Sequence, residues 1–254
     1  MSVYKLLLLD LDGTLIGRDE RISPRVASAV RRVSERISVS IATGREIEDV
    51  LRFARQLGLT APQICDNGAL LLDPTSGEPL FSWPLGDGSA RRILTQLQHL
   101  GLDYIATHTG GSLRPPAGRE VPGLVRISAL DMSEDGAGRL VDDFAGDAAL
   151  EVVKAHLPYN GLWAVDFTRA GVNKGAAANW VQERAGVGVD QTISAGDSYN
   201  DLPLFRASGL RIAMGEAPDE LKGLADYVAP SVDDDGLAVA IEDFIVPALR
   251  RYAR

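Results

Sequence analysis

Asp10-Leu11-Asp12-Gly13-Thr14-Leu15 places two carboxylates two residues apart, just beyond the apolar run from Tyr4 to Leu9. The run is too short to span a bilayer and has the length of a buried parallel strand. The Asp-Gly turn beyond it favours a strand that ends in a loop. Residues i and i+2 of extended backbone face the same way, so Asp10 and Asp12 can meet at one spot if the extended geometry persists. Two like charges 4 Å apart repel by about 4 kcal/mol at an effective dielectric of 20. A cation, a shared proton or a catalytic task must offset that. Phosphoryl transfer is a task that fits: the first Asp attacks phosphorus and the second manages the leaving group's proton. The string also reads as a polar turn or the start of an EF-hand loop, although Arg21 stands where that loop needs Glu.

Three further clusters carry compatible chemistry. Thr43-Gly44-Arg45 follows a strand and precedes a helix, where a hydroxyl and free N–H groups can cradle phosphate; the alternative is that Thr43 merely caps the helix. Lys174 falls in the first turn of a helix, where a cation opposes the macrodipole by a few tenths of a kcal/mol. The placement makes sense if its ammonium faces an anion. Gly196-Asp197-Ser198-Tyr199-Asn200-Asp201 sets two acids and an amide at a strand-to-helix junction. Together with Asp10 and Asp12, Asp197 and Asp201 form an all-oxygen site suited to Mg²⁺. The three histidines, at 99, 108 and 156, are too scattered for a His-rich zinc site. His99 reads as a helix-surface residue, whereas His108 and His156 are candidates to line a pocket.

The elements that must position these groups follow from pattern. Ser23-Pro24 starts a helix as N-cap and first helical residue, and Val26, Ala29, Val30 and Val33 recur at helical spacing. Ile37–Thr43 is predicted as a strand, Glu46–Leu57 as a helix closed by Gly58, and Ala69–Asp73 with Leu80–Trp83 as a hairpin. From Pro84 the alternation breaks. A helix at Arg91–Leu100, a strand at Asp103–Thr107, a Gly/Pro-rich loop, a strand at Leu124–Leu130, a helix from Ser133 to Phe144 and strands at Leu150–His156 and Leu162–Phe167 make a small α+β module. Helix Lys174–Ala185, strand Thr192–Ala195, helix Asp201–Ala207, strand Leu210–Ala213, helix Asp219–Leu224, strand Tyr227–Ala229 and a terminal helix Gly236–Tyr252, bent at Pro247, restore the first style. The expected architecture is α/β: a discontinuous Rossmann-like parallel-sheet core, 1–83 and 168–254, with an inserted α+β cap, 84–167.

With 254 residues and a net charge of −9, the chain has room for a full core and a balance unsuited to nucleic acid or an anionic membrane as main partner. A small phosphorylated metabolite remains compatible, because a metal and a few cations can dominate one pocket. The single cysteine, Cys65, excludes an internal disulfide and reads as a packing residue, its neighbours Pro62, Gln63 and Ile64 suggesting a strand end. No secretory leader or membrane-length stretch is read in the sequence, so the cytoplasm is the expected compartment. No motif sets the oligomeric state.

In this order the four clusters resemble the motifs of the haloacid dehalogenase superfamily of phosphotransferases: Asp10-x-Asp12-Gly-Thr-Leu the first, Thr43 the second, Lys174 the third and Gly196-Asp197-x-x-Asn200-Asp201 the fourth. The insert between the second and third, with Thr43-Gly44-Arg45, Asn67-Gly68-Ala69, Asn173-Lys174-Gly175 and Ala213-Met214-Gly215, resembles the Cof-type branch, whose members carry an α/β cap there. Glu216 departs from it, since Asn is the residue expected after Met-Gly. The resemblance implies a Mg²⁺-dependent phosphatase acting on a sugar phosphate or related metabolite. Asp10 would be the nucleophile and Asp12 the general acid and base. Asp10, the Asp12 carbonyl and Asp197 would hold the metal, with Asp201 near. Thr43, the Gly44 N–H, Lys174 and, more weakly, Asn200 would hold the phosphoryl oxygens. A phosphosugar mutase on the same core and a phospho-Asp signalling or binding module are the alternatives; little phosphate release would mark the first and an hours-long phospho-Asp lifetime the second. Arg114, Arg119 and Arg126 are candidates to grip a second anion on the substrate, or surface residues.

Overall fold

Strand β1, Leu6–Leu9, is four leucines with no exposed surface. Such a run suits only a strand covered on both faces. Leu7 and Leu9 pack into one hydrophobic cluster, Leu6 and Leu8 into another on the opposite face. The computed structural model describes residues 4–114, 122–157 and 160–251. Helix α1, Pro24–Ser34, begins at Ser23, whose side chain accepts the Val26 N–H as expected. Strand β2 is Ser38–Ile41, and α2, Ile47–Leu57, ends in a left-handed Gly58.

Three short strands follow: β3, Gln63–Cys65; β4, Leu70–Leu72; and β5, Pro79–Ser82. They pair antiparallel in the order β3-β4-β5. The hairpin and the strand end beside Cys65 are as expected. Next come α3, Asp87–Leu100, starting four residues earlier than predicted, β6, Tyr104–His108, β7, Gly111–Leu113, and β8, Arg126–Met132. Helix α4, Glu134–Phe144, with β9, Leu150–Leu157, and β10, Leu162–Arg169, completes this part. These strands make a second sheet, β7-β6-β8-β10-β9, antiparallel throughout. One face of it buries Tyr104, Ile127, Val165 and Phe167 against Ile93, Leu97, Leu140 and Phe144 of α3 and α4. Strand β7 lies inside the segment read as loop.

The remaining elements are α5, Lys174–Ala185; β11, Thr192–Gly196; α6, Leu202–Arg206; β12, Leu210–Ala213; α7, Asp219–Leu224; and β13, Tyr227–Val228. With β1 and β2 they close a parallel sheet in the order β13-β12-β11-β1-β2. The Rossmann-like core with an added α+β sheet is as expected. The final helical stretch differs: α8, Gly236–Ala240, passes through a π turn, Ile241–Ile245, into α9, Val246–Arg251. Pro247 has no N–H to give the preceding turn, and the irregularity falls just before it. In such a sheet the polar groups beyond the carboxyl ends of the strands are free to meet a ligand.

Candidate active site

Leaving β1, the chain turns sharply: the N–H groups of Thr14, Leu15 and Ile16 all point at the Leu11 carbonyl. Gly13 occupies this turn at φ +78°, and a Cβ there would stand 2.2 Å from Asp197 Oδ2. Glycine is required both for the angle and for the close approach. Asp10 is buried and accepts Lys174 Nζ at 2.5 Å. Asp12 lines the same cavity as Asp10 and adds to the upward shift of the Asp10 pKa. Arg45 grips it through Nη2 to Oδ1 at 2.6 Å and Nε to Oδ2 at 2.9 Å, and also reaches Glu20 at 2.7 Å and Asp49 at 3.1 Å. Regular strand ends at Leu9, and the two acids share one cavity while keeping separate partners, Lys174 for Asp10 and Arg45 for Asp12.

The anion expected in front of Lys174 is supplied by the chain itself. Asn173 caps α5 by accepting the N–H groups of Gly175 and Ala176, and the buried ammonium bridges Asp10 and Asp201, the latter at 2.7 Å. Burial works against its charge, but the two carboxylates outweigh it and hold its pKa above the usual lysine value. Asp201, fully buried, has both oxygens engaged: Oδ1 by Lys174, Oδ2 by the N–H groups of Asp197 and Ser198 at 3.0 and 3.2 Å. It shapes the loop and holds the lysine. Asp197 is the available acid, its Oδ1 covered yet without a hydrogen-bond partner. Burial pushes Asp10 up to about 7, with Asp201 adding to the shift and Lys174 opposing it. Asp197 is raised well above the carboxylate range by burial and by Asp10 and Asp201.

Carboxylate oxygens of Asp10, Asp197 and Asp201 lie within 4.8 Å of one another. Three acids around one ammonium leave a local excess of negative charge, and a hard cation fits it.

Thr43, fully buried, stands three residues before the helix cap, which is Glu46, so the capping alternative is ruled out. Its Oγ1 accepts the Arg45 N–H at 3.1 Å. Gly44 borders Asn67: a Cβ on Gly44 would lie 3.2 Å from Asn67 Oδ1. Asn200 donates weakly to that same oxygen at 3.4 Å, and its own Oδ1 is buried without a partner. Thus Asp10, Asp12, Thr43, Gly44, Lys174, Asp197 and Asn200 line or border one centre.

Sequence reasoning missed the role of Asp66 and Asp166. Arg126, read as a surface or substrate-gripping residue, is buried and donates to Asp66 at 2.8 Å and Asp166 at 3.0 Å. Asp166 stands inside an apolar strand and Asp66 opens the Asn67-Gly68 turn, and those contexts were the signals available. Arg114 is exposed beside Glu46, and Arg119 lies outside the described residues. A cavity of about 680 Å³ opens between the centre and the second sheet, lined among others by Ile105, Ser128, Leu130, Ala155 and Ala164. His156 borders it edge-on to Trp163, whereas His108 is spent on the Gly110 N–H and His99 is exposed on α3. Glu216 ties its loop to Ser231 and the Val232 N–H. Cys65 is buried with its thiol pKa pushed up by burial, as a packing residue.

The chain matches the haloacid dehalogenase-like hydrolase family over residues 7–120 and 141–241. It is 29% identical to the phosphoglycolate phosphatase of Archaeoglobus fulgidus, covering 94% of this chain and 96% of that one. It is 25% identical to a 5-amino-6-(5-phospho-D-ribitylamino)uracil phosphatase of Bacillus subtilis, over 95% and 96%. The fold is shared with a haloacid dehalogenase-like hydrolase from B. subtilis at TM-score 0.83 and 21% identity, covering 94% of this chain and 99% of that one. A subclass IIB sugar phosphatase of the same superfamily superposes at TM-score 0.79 and 21% identity, over 95% and 99%. On these grounds the chain is an enzyme that belongs to the haloacid dehalogenase-like hydrolases, in their Cof-type branch of phosphatases.

Proposed function

We propose that this protein hydrolyses a small phosphomonoester, a sugar phosphate or related metabolite, by passing the phosphoryl group through Asp10 with Mg²⁺ as cofactor. The observation that carries the reading is a buried Asp10 held by Lys174 at the carboxyl edge of the sheet, beside an unpartnered Asp197 oxygen. Relatives named as phosphatases support it. Residues 84–167 act as the cap over the cavity, and 1–83 with 168–254 as the catalytic core. No helix among the described residues is long and apolar enough to cross a membrane.

Asp10 attacks phosphorus while the substrate P–O bond breaks, and Asp12 gives its proton to the departing alcohol. Asp12 then takes a proton from the water that cleaves the aspartyl-phosphate, which restores both residues. Arg45 fixes the direction of the Asp12 carboxylate between these steps. Lys174 orients Asp10 and neutralises the approaching phosphoryl group, while Thr43, the Gly44 N–H and Asn200 hold its oxygens. Asp10, the Asp12 carbonyl and Asp197 would hold Mg²⁺, which supplies charge neutralisation; Asp201 stands behind them, on the lysine. The cap keeps bulk water from the centre and selects the alcohol.

Phosphate release from a panel of phosphorylated metabolites, with and without Mg²⁺, tests the reading; absence of Mg²⁺-dependent release across the panel would sink it. A second test needs no turnover. Because Asp10 titrates near 7 in the folded chain, that chain binds more protons than the unfolded one between about pH 4 and 7. The group's contribution is present at low pH and lost as pH rises through 7. A cation competes for the same site, so the Tm increment from Mg²⁺ should grow between pH 5.5 and 8. An increment independent of pH would remove Asp10 from the metal site.

A further inference from the structure

Between the phosphate-binding loops and the second sheet lies the turn Asp66-Asn67-Gly68, with φ of 52°, 53° and 97°. Two successive non-glycine residues in the left-handed region persist only where their surroundings hold them. Here the surroundings come from two sides. On the core side, the N–H groups of Asp66 and Asn67 donate to the carbonyls of Arg45 and Thr43, both at 3.0 Å. Gly68 lies so close to the Asn173 carbonyl that a Cβ would stand 2.3 Å from it. The turn therefore touches the loop before α2 and the loop before Lys174 at once. On the other side, Arg126 of β8 bridges Asp66 to Asp166 of β10, and Asn67 donates its amide to Asp166. All four side chains are buried.

We infer that the Asp66–Arg126–Asp166–Asn67 chain of contacts sets the cap sheet against the phosphoryl site, and that Asn67 is a positioning residue for hydrolysis. Its amide nitrogen is held by the cap, and its oxygen faces Asn200 and Gly44. A shift of the cap thus reaches two groups of the phosphoryl shell through one side chain. Arg126 is correspondingly spent on two protein carboxylates and does not recognise a second anion on the substrate. The inference rests on the phosphatase reading of the centre.

Asn67→Gly is the clean probe, since glycine accepts the φ of 53° and only the amide is lost. With p-nitrophenyl phosphate and Mg²⁺, kcat is expected to fall about 10- to 100-fold with KM little changed, as for an ångström-scale misplacement. Asn67→Gly combined with Asp166→Asn should be no slower than the worse single variant, because members of one unit are not additive. Hydrogen exchange of residues 43–45 and 124–128 should quicken in Asn67→Gly while α4 is unchanged. An unaltered kcat, effects that multiply in the double variant, or unaltered exchange at the junction would each overturn the inference. If the wild-type enzyme releases no phosphate from any ester tested, the functional reading fails. Hydrogen exchange then decides the mechanical link by itself.

Discussion

Asp10→Asn should lower phosphate release at least about 10⁴-fold, the scale on which removing a covalent nucleophile acts. The amide is isosteric with the carboxylate but cannot accept the phosphoryl group. Folding should survive: Asp201 still pairs with Lys174, and an amide avoids the burial cost that pushes the Asp10 carboxyl up to about 7. A stability change of about 1 kcal/mol shifts Tm by only about 2–4 °C in a chain of this size. The measurements are phosphate release and thermal unfolding of the same preparation. Wild-type rates in the variant would take the nucleophile's role from Asp10, whatever becomes of the rest of the site.

Lys174→Met should be costly in both respects. Its ammonium is the cation shared by two buried carboxylates, and removing one partner of a buried pair costs about 3–5 kcal/mol. Methionine fills similar volume, so the loss reports charge rather than a cavity. The deficit also has a pH signature. Without the ammonium, the pKa of Asp10 climbs further, so the acid is protonated and less costly at low pH. The destabilisation relative to wild type should therefore be large at pH 8 and shrink towards pH 5.5. Denaturant unfolding at the two pH values checks this; an equal deficit at both would mean that packing, not charge, is what Lys174 supplies. Turnover should be lost at either pH, since the phosphoryl group meets three acids and no fixed cation. Lys174→Arg is not expected to rescue it, because the fork needs more room than a fully enclosed ammonium leaves.

Much of this protein is readable from its residues. Four successive leucines demand a strand covered on both sides, and Ser23-Pro24, Gly58 and Asn173 mark helix ends by chemistry local to a few residues. The polar clusters at 10–12, 43–45, 174 and 197–201 were recognisable because parallel strands deliver their carboxyl ends to one edge. The short strand Gly111–Leu113 escaped, since three residues carry no usable period. Only tertiary structure decided who pairs with whom. Strand position set Asp12 beside Asp10, but nothing local showed that Arg45, thirty-three residues away, would hold its carboxylate. Arg126 looked like any basic surface residue until Asp66 and Asp166, sixty and forty residues distant, were brought around it. Local propensity is written in neighbouring residues, but the partner of a buried charge is set by long-range packing, which no short window of sequence contains.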